Sequence, residues 1–344
     1  MKKTILIAAA ALLLFSCMNK NRVPDVSDIK VDLQFLRFDR EFSSIDSNNL
    51  LQGLNQLDQK YPVLTPIFLQ SILGLDSAST LNGVNSFLKL NAPIDSVVGV
   101  RFKNMGDIKT AFEDAFRYVK YYFPQYRFPS SIVTVTGPVD ALAQSSNGYT
   151  PDFLGNDFLG ISLQFYLGSD YPLYHESFFT EKVAPEYRSR RFSKEYIISD
   201  AMMLIVDDLF PDQSNGKPLI EQMVEKGKQW YLLDKFLPHT PDSVKTGYTQ
   251  LQLKWCKENE GLIWADIVRS GDLNSINPTV IQTYIGESPF TQGFSQEYSP
   301  GNMGQWIGWQ IIKKFVDKNP DMKPEEVMKT PARKILDEAK YKPK

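Results

Sequence analysis

Read at helical pitch, residues 192–210 keep Tyr196, Ile197, Ile198, Ala201, Met202, Leu204, Ile205 and Leu209 apolar and leave only a narrow polar stripe at Ser193, Asp200 and Asp207. A helix so nearly encircled by apolar side chains belongs in a core. Ser193 is placed to cap it, and Phe210-Pro211 ends it, because proline disfavours a helical residue before it and has no N–H to extend the ladder. Amphipathic helices are also predicted over residues 48–60, with Leu50, Leu51, Leu54 and Leu57 inward, and over 107–123, with Ile108, Phe112, Ala115, Phe116 and Val119 inward. The second half of the chain continues in helices over 215–233, 244–259, 261–270 and 305–318, with Trp255 and Trp264 as large core anchors. Gly304 and Gly308 lie one turn apart on the same side of the last of these, so another backbone is expected to come close there.

Period-two alternation marks the strands. Ile29, Val31, Leu33 and Phe35 read as a half-buried strand, residues 132–136 as a short one stopped by Gly137-Pro138, and Leu159, Ile161, Leu163, Phe165 and Leu167 as the clearest run of all. Gly168 to Pro172 turns that run out of the sheet, and the next long element is the apolar helix at 192–210. The pattern predicts an α+β fold, rich in helix, with a small mixed sheet. No fixed-period repeat is present, which argues against a helical solenoid.

Composition narrows the partners. A chain of 344 residues with 42% hydrophobic and 12% aromatic content can bury a large core, as one big domain or two interlocked ones. With 38 basic against 40 acidic side chains in no long runs, there is no electrostatic reason to propose nucleic acid, which leaves protein, lipid or small molecule. The N-terminus is the most specific signal. Lys2-Lys3, an apolar run from Ile5 to Phe15 and then Ser16-Cys17 have the three-part plan of a bacterial secretory signal, over a run too short to span a bilayer comfortably. Leu14-Phe15-Ser16-Cys17 also resembles the lipobox of bacterial lipoproteins, in which the thiol is acylated and becomes the first residue after cleavage. The division that follows is a signal peptide at 1–16, a lipidated tether at 17–28 and a globular part at 29–344, the membrane being reached through lipid on Cys17. An ordinary signal peptide with an incidental cysteine is the alternative. Met18-Asn19-Lys20-Asn21 carries no acidic cluster of the kind that accompanies surface display, so the globular part is expected to face the periplasm.

For chemistry, Lys194-Glu195-Tyr196-Ile197-Ile198 has the outline of the zinc-protease motif His-Glu-x-x-His with both histidines replaced. A working motif holds two imidazoles one helical turn apart on the metal and uses the glutamate as base for a metal-bound water. Lys194 and Ile198 cannot ligate zinc, so only the base position, Glu195, is retained, and it is expected to hydrogen-bond near Lys194 or Ser199 in a relic of the cleft. Glu225 is a conceivable relic of the third ligand. A mixed sheet whose last strand leads into a central helix is also the order of zincin-like folds, an analogy that does not settle function. The only two histidines, His175 and His239, are far apart in sequence; their meeting at a metal is an open alternative. Cys256, beside Trp255, is expected to be a small buried hydrophobe and, with Cys17 acylated, to have no disulfide partner. No Ser-His-Asp set, nucleophile elbow, phosphate loop or dinucleotide fingerprint appears, and no cofactor is called for.

As an ordered set, Arg37-Phe38-Asp39, the run Gly160 to Gly168, Arg190-Arg191-Phe192 before Lys194-Glu195-Tyr196-Ile197, Gly227-Lys228-Gln229-Trp230-Tyr231, the run Asn259 to Trp264, and Ser299-Pro300-Gly301-Asn302-Met303-Gly304-Gln305-Trp306 through Ile311 resemble the gliding-motility lipoprotein GldB of Bacteroidetes. The resemblance runs from the lipobox almost to the C-terminus. It implies one globular domain, a cell-envelope lipoprotein needed for gliding, an association with the type IX secretion machinery, and a distant tie to putative zinc proteases that keep the histidines lost here. The reading that follows is a non-enzymatic lipoprotein acting through protein contacts. A residual metal-dependent hydrolase using His175 or His239 is the second hypothesis, and nutrient capture by a surface lipoprotein, weakened by the absence of repeats, the third.

Overall fold

The computed structural model describes residues 23–145 and 148–343. The signal segment and Cys17 lie outside the described residues. The strands are β1 (Gln34–Leu36), β2 (Ser131–Val135), β3 (Ala143–Ser145), β4 (Gly148–Thr150), β5 (Phe153–Leu154) and β6 (Phe158–Ser162). They form a four-stranded sheet in the order β1-β2-β6-β5 and a separate β3-β4 hairpin. β1 and β6 both run parallel to β2, with Gln34 opposite Ser131 and Ser131 opposite Phe158, while β5 is antiparallel to β6. Every residue of β2 and β6 is buried, as expected of parallel strands covered on both faces. Alternation then sends Val133, Val135 and Phe158 into a smaller core and Ile132, Leu159 and Ile161 into the main one.

The principal helices are α1 (Phe38–Ser43), α2 (Leu50–Lys60), α3 (Thr80–Arg101), α4 (Gly106–Tyr122), α5 (Ile197–Leu209), α6 (Leu219–Phe236), α7 (Asp242–Thr246), α8 (Gln250–Glu258), α9 (Glu260–Ser270), α10 (Pro278–Ile285), α11 (Met303–Lys318), α12 (Pro324–Lys329) and α13 (Ala332–Ala339). A helix-rich chain with a small mixed sheet is α+β, in agreement with the sequence pattern. The smaller core joins α1 and α2 to the sheet through Phe38, Phe42, Leu54 and Phe68, the rings of Phe38 and Phe42 meeting that of Phe68 edge to face at 5.0 and 4.8 Å. The main core fills the other side. It holds all five apolar positions predicted for α4.

Several elements differ from the pattern for identifiable reasons. The first strand covers only Gln34–Leu36, the residues that reach β2, and the alternation from Ile29 runs ahead of the sheet. Leu51, expected inside, is 61% exposed. The run from Leu159 is a strand only to Ser162 and then a 3-10 turn over Leu163–Phe165. All five of its apolar side chains are nonetheless buried, and the intervening Ser162, Gln164 and Tyr166 are buried too with protein partners: the Ser162 N–H and the Tyr166 hydroxyl donate to Asp152, and Gln164 accepts from the Gly137 N–H. The helix expected over 244–259 is broken at Gly247, whose φ of 70° is the left-handed conformation, and restarts from a capping box made by Thr249 and Gln252. Trp255 and Trp264 are half-buried, whereas Trp306 and Trp309 are the fully buried ones. The longest helix, α3, has no counterpart in the pattern. It buries only Val84, Asn91 and Val98, one residue every two turns, contains Pro93, and leaves Leu81, Leu90 and Val100 exposed, so its apolar stripe is too thin to read.

The closest helix contact is the crossing of α6 and α11. A Cβ on Gly227 would lie 2.2 Å from the carbonyl carbon of Gly308 and one on Gly308 would overlap the main-chain oxygen of Met223. Gly308 thus does what its spacing from Gly304 predicts, and its counterpart is Gly227. Around the crossing, Trp230 and Trp309 meet edge to face at 5.9 Å.

Candidate functional site

A cleft of about 200 Å³ opens beside this crossing. Its walls come from the β3-β4 hairpin, the Arg188–Phe192 segment, one side of α5, the middle of α6 and the start of α11. Three of the motifs that carry the family resemblance meet here: Arg191 and Phe192 from one, Gln229 and Trp230 from the second, Asn302 and Gln305 from the third.

Of the predicted polar stripe, Asp200 and Asp207 on α5 face the cleft with Ser199 beside them, and Ser193 does not. Behind Asp200, the hydroxyl of Tyr166 donates to Asp152 Oδ2 at 2.7 Å and lies 3.4 Å from Asp200 Oδ2. Asp152 is fully buried and also accepts from the Ser162 N–H at 3.1 Å. Burial holds its carboxyl well above the usual range, and the neighbouring Asp200 charge adds to the effect. Burial also raises Asp200 to about 6, against the opposing pull of Arg191. On the facing wall, Arg188 and Arg191 share Glu287, Arg188 also donates to the carbonyl of Tyr149 in the hairpin, and Lys226 pairs with Asp212 at 2.8 Å. Lys245 is buried between Asp234 and Asp242. The start of α11 is fixed by Asn302 in the left-handed region at φ 45°, whose side-chain amide donates to Gln305 Oε1 at 3.1 Å; Gln305 donates in turn to the Lys226 carbonyl at 3.2 Å.

A carboxyl titrating higher in the folded chain than its ordinary 3.8 favours folding at low pH, and that contribution is lost as pH rises from about 3.8 through about 6. Asp200→Asn is therefore expected to raise Tm at pH 7.5 and to leave it nearly unchanged at pH 4, measured by thermal melts at both values. A Tm gain of equal size at the two pH values would contradict the assignment.

The motif outline lies elsewhere. Lys194 and Glu195 sit in a 3-10 turn that precedes α5, and Ile198 is half-buried in the first turn of the helix. Lys194 reaches away to Asp107 at 2.8 Å, Ser199 donates to the Val244 carbonyl, and Glu195 is exposed, so it does not hydrogen-bond in a relic cleft near Lys194 or Ser199 as expected. Ser193 does not cap the helix through its side chain; it is extended and bridges to Leu167. Glu225 pairs with Lys228 at 2.9 Å, in a buried knot where Lys228 also donates to the carbonyls of Met328 and Thr330. His175 is exposed beside the Ser169 carbonyl, and His239 is exposed beside the hydroxyl of Tyr118. The two histidines therefore have separate surroundings. Among the described residues there is no group of three or more His, Cys, Asp or Glu side chains placed to hold a metal ion. Cys256 is buried and unpaired, and burial pushes its thiol up to about 12, which suits a packing residue and not a nucleophile.

Of the cleft residues, Asp200 and Asp207 were visible in sequence as the polar stripe of an otherwise apolar helix. Arg188, Glu287 and Gln229 carried no such signal, since they come from a short connection, a loop and the interior of another helix. Among the described residues no helix is long and apolar enough to cross a membrane.

The fold and cleft define a helix-rich α+β protein with a polar pocket built at a glycine helix crossing. The chain belongs to the gliding motility protein GldB family, a lipoprotein family whose model matches residues 19–343, nearly its whole length. Its role is accordingly that of a membrane-associated lipoprotein in gliding motility. No curated protein and no solved structure matches the chain.

Proposed function

We propose that this protein is a non-enzymatic lipoprotein, anchored through Cys17 and facing the periplasm, that supports gliding and the associated type IX secretion machinery by binding protein partners. The observation that carries the non-enzymatic reading is the side chemistry of the Lys194–Ile198 stretch. An ammonium and an alkyl group stand where a zincin would put imidazoles, the ammonium is engaged by Asp107, and the glutamate at the base position points to solvent. On this reading α5 is the rod of a zincin-like scaffold that no longer activates water, and its buried stripe has been left to the neighbouring cleft. The lipobox and the absence of an acidic cluster after Cys17 support the anchoring and its orientation.

The test is complementation of a deletion strain of a gliding host. Glu195→Gln is expected to restore colony spreading to the wild-type level, since an exposed carboxylate with no reaction to catalyse is dispensable. Loss of spreading with Glu195→Gln, at normal protein abundance, would sink the non-enzymatic reading. A deletion strain that spreads unaided would sink the gliding role itself. Affinity capture from detergent-solubilised envelopes should bring down motor or secretion components.

A further inference from the structure

Among the described residues several buried side-chain polar groups have no hydrogen-bond partner, the indoles of Trp306 and Trp309 included, but of these only Gln229 lines the cleft. It is only 2% exposed, lies on α6 at the cleft, and neither end of its side-chain amide has a hydrogen-bond partner among the described residues. A buried amide left unpaired costs more than an apolar side chain of the same shape would at that position. Such a group is retained where something outside the chain completes it.

We propose that the cleft is a binding site for a short extended peptide segment of a partner protein, whose main-chain amide pairs head to tail with the carboxamide of Gln229. The proposal rests on the reading of this protein as one that acts through protein contacts, and gives that contact a place. The lining selects the chemistry. Asp200 and Asp207 on one side and Arg191 and Lys226 on the other set both signs of charge around one small space, so a ligand of either net charge meets a like charge. A neutral group that both donates and accepts meets none, and Gln229 offers it one donor and one acceptor side by side. The volume agrees. At about 200 Å³ the cleft is smaller than the roughly 300 Å³ at which pockets for drug-sized ligands begin, which admits a residue or two and no more. Phe192 and Trp230 supply the apolar surface against which a small side chain would rest.

The experiment is saturation-transfer NMR on the full chain in detergent micelles with two uncharged probes of a size the cleft admits, N-acetyl-alanine methylamide and N-acetylglucosamine. Transfer to the peptide is expected, and Gln229→Met, which keeps the length and removes both polar atoms, should weaken it at least about tenfold. The same variant should raise Tm by about 1–4 °C, because the unpaired amide no longer has to be buried. A purely structural role for Gln229 gives the opposite pair, a lower Tm with peptide binding intact, and would overturn the proposal. Transfer to the saccharide alone would overturn the choice of a peptide. Gln229→Glu provides a second variant, which keeps the shape but replaces the amide donor, and is expected to weaken peptide binding while circular dichroism shows the chain still folded; unchanged binding in both variants removes the cleft as the site. In cells, Gln229→Met should abolish spreading with the lipoprotein still in the envelope. Wild-type spreading by that variant, in a host whose deletion strain cannot spread, would refute the cleft and leave the gliding role standing.

Discussion

Gly308→Ala is expected to destabilise the protein by about 3 kcal/mol, lowering Tm by about 4 °C, although alanine is the better helix former. Two effects oppose each other. In a helix interior alanine is favoured over glycine by about 1 kcal/mol. Against that, the added methyl would overlap the main-chain oxygen of Met223 and sit 2.5 Å from its carbonyl carbon. These are backbone atoms of a neighbouring helix, so no rotamer change relieves the overlap and α6 must move away from α11. That separation loosens the contact of Trp230 with Trp309 and opens the cleft floor at Gln229. Overpacking typically costs about 1–3 kcal/mol and more when backbone must shift, so the crossing wins over propensity. Gly227→Ala should behave alike, with its Cβ 2.4 Å from the Trp309 nitrogen. Gly99→Ala is the control: nothing lies within 4 Å of its Cβ on α3, and the substitution should stabilise by up to about 1 kcal/mol. Chemical denaturation of the three variants checks the order. A Gly308→Ala chain as stable as the parent would show that the helices do not approach as described.

The second large effect is at the opposite end of the fold. Arg37→Met should cost about 3–5 kcal/mol, because it strands a buried carboxylate. Arg37 holds Asp39 with two donors, at 2.8 and 2.6 Å, and gives a third to the Phe102 carbonyl at 2.7 Å. Asp39 is only 5% exposed and otherwise accepts from the hydroxyl of Thr134. The clamp thus ties the start of α1, the end of α3 and β2 through one ion pair. Adding Asp39→Asn to the Arg37→Met chain should recover at least about 1 kcal/mol by neutralising the stranded group. If the double variant were less stable than Arg37→Met alone, the loss would come from Arg37 packing and not from the buried charge.

These two sites show what kind of information the chain carries locally. Glycines one turn apart announced a close approach on α11, yet the partner surface, Gly227, is some eighty positions earlier and has no periodic signature of its own. Arg37-Phe38-Asp39 stood out as a motif, but its purpose depends on Phe102 and Thr134, which only the folded chain brings near. The cleft is the same case at larger scale. Its acidic stripe on α5 was written in the helical period; its basic wall was not, because Arg188, Arg191 and Glu287 meet across a turn and a loop whose conformations no periodicity encodes.

The zinc-protease outline illustrates the converse. Of Lys194 to Ile198 only Glu195 keeps the residue type of that motif, but type does not decide the backbone, and a 3-10 turn there sends Glu195 to solvent while the face one turn on lines the cleft. The long helix α3 escaped detection for a related reason. A segment that buries one residue every two turns owes its helicity to what it lies against and not to an apolar stripe of its own.

By itself the sequence determined the fold class, the positions of α4, α5 and the core of the sheet, the family to which the chain belongs, and the mismatch of ligand types at Lys194 and Ile198. Periodicity and residue chemistry are local properties, readable within a few turns. The tertiary structure alone decided which glycines face each other, which charges share a partner, and that Gln229 lies buried at a pocket with its amide unpaired. Those depend on surfaces distant in sequence arriving in one place, and the free energy that fixes them belongs to the contact and not to either strand of residues alone.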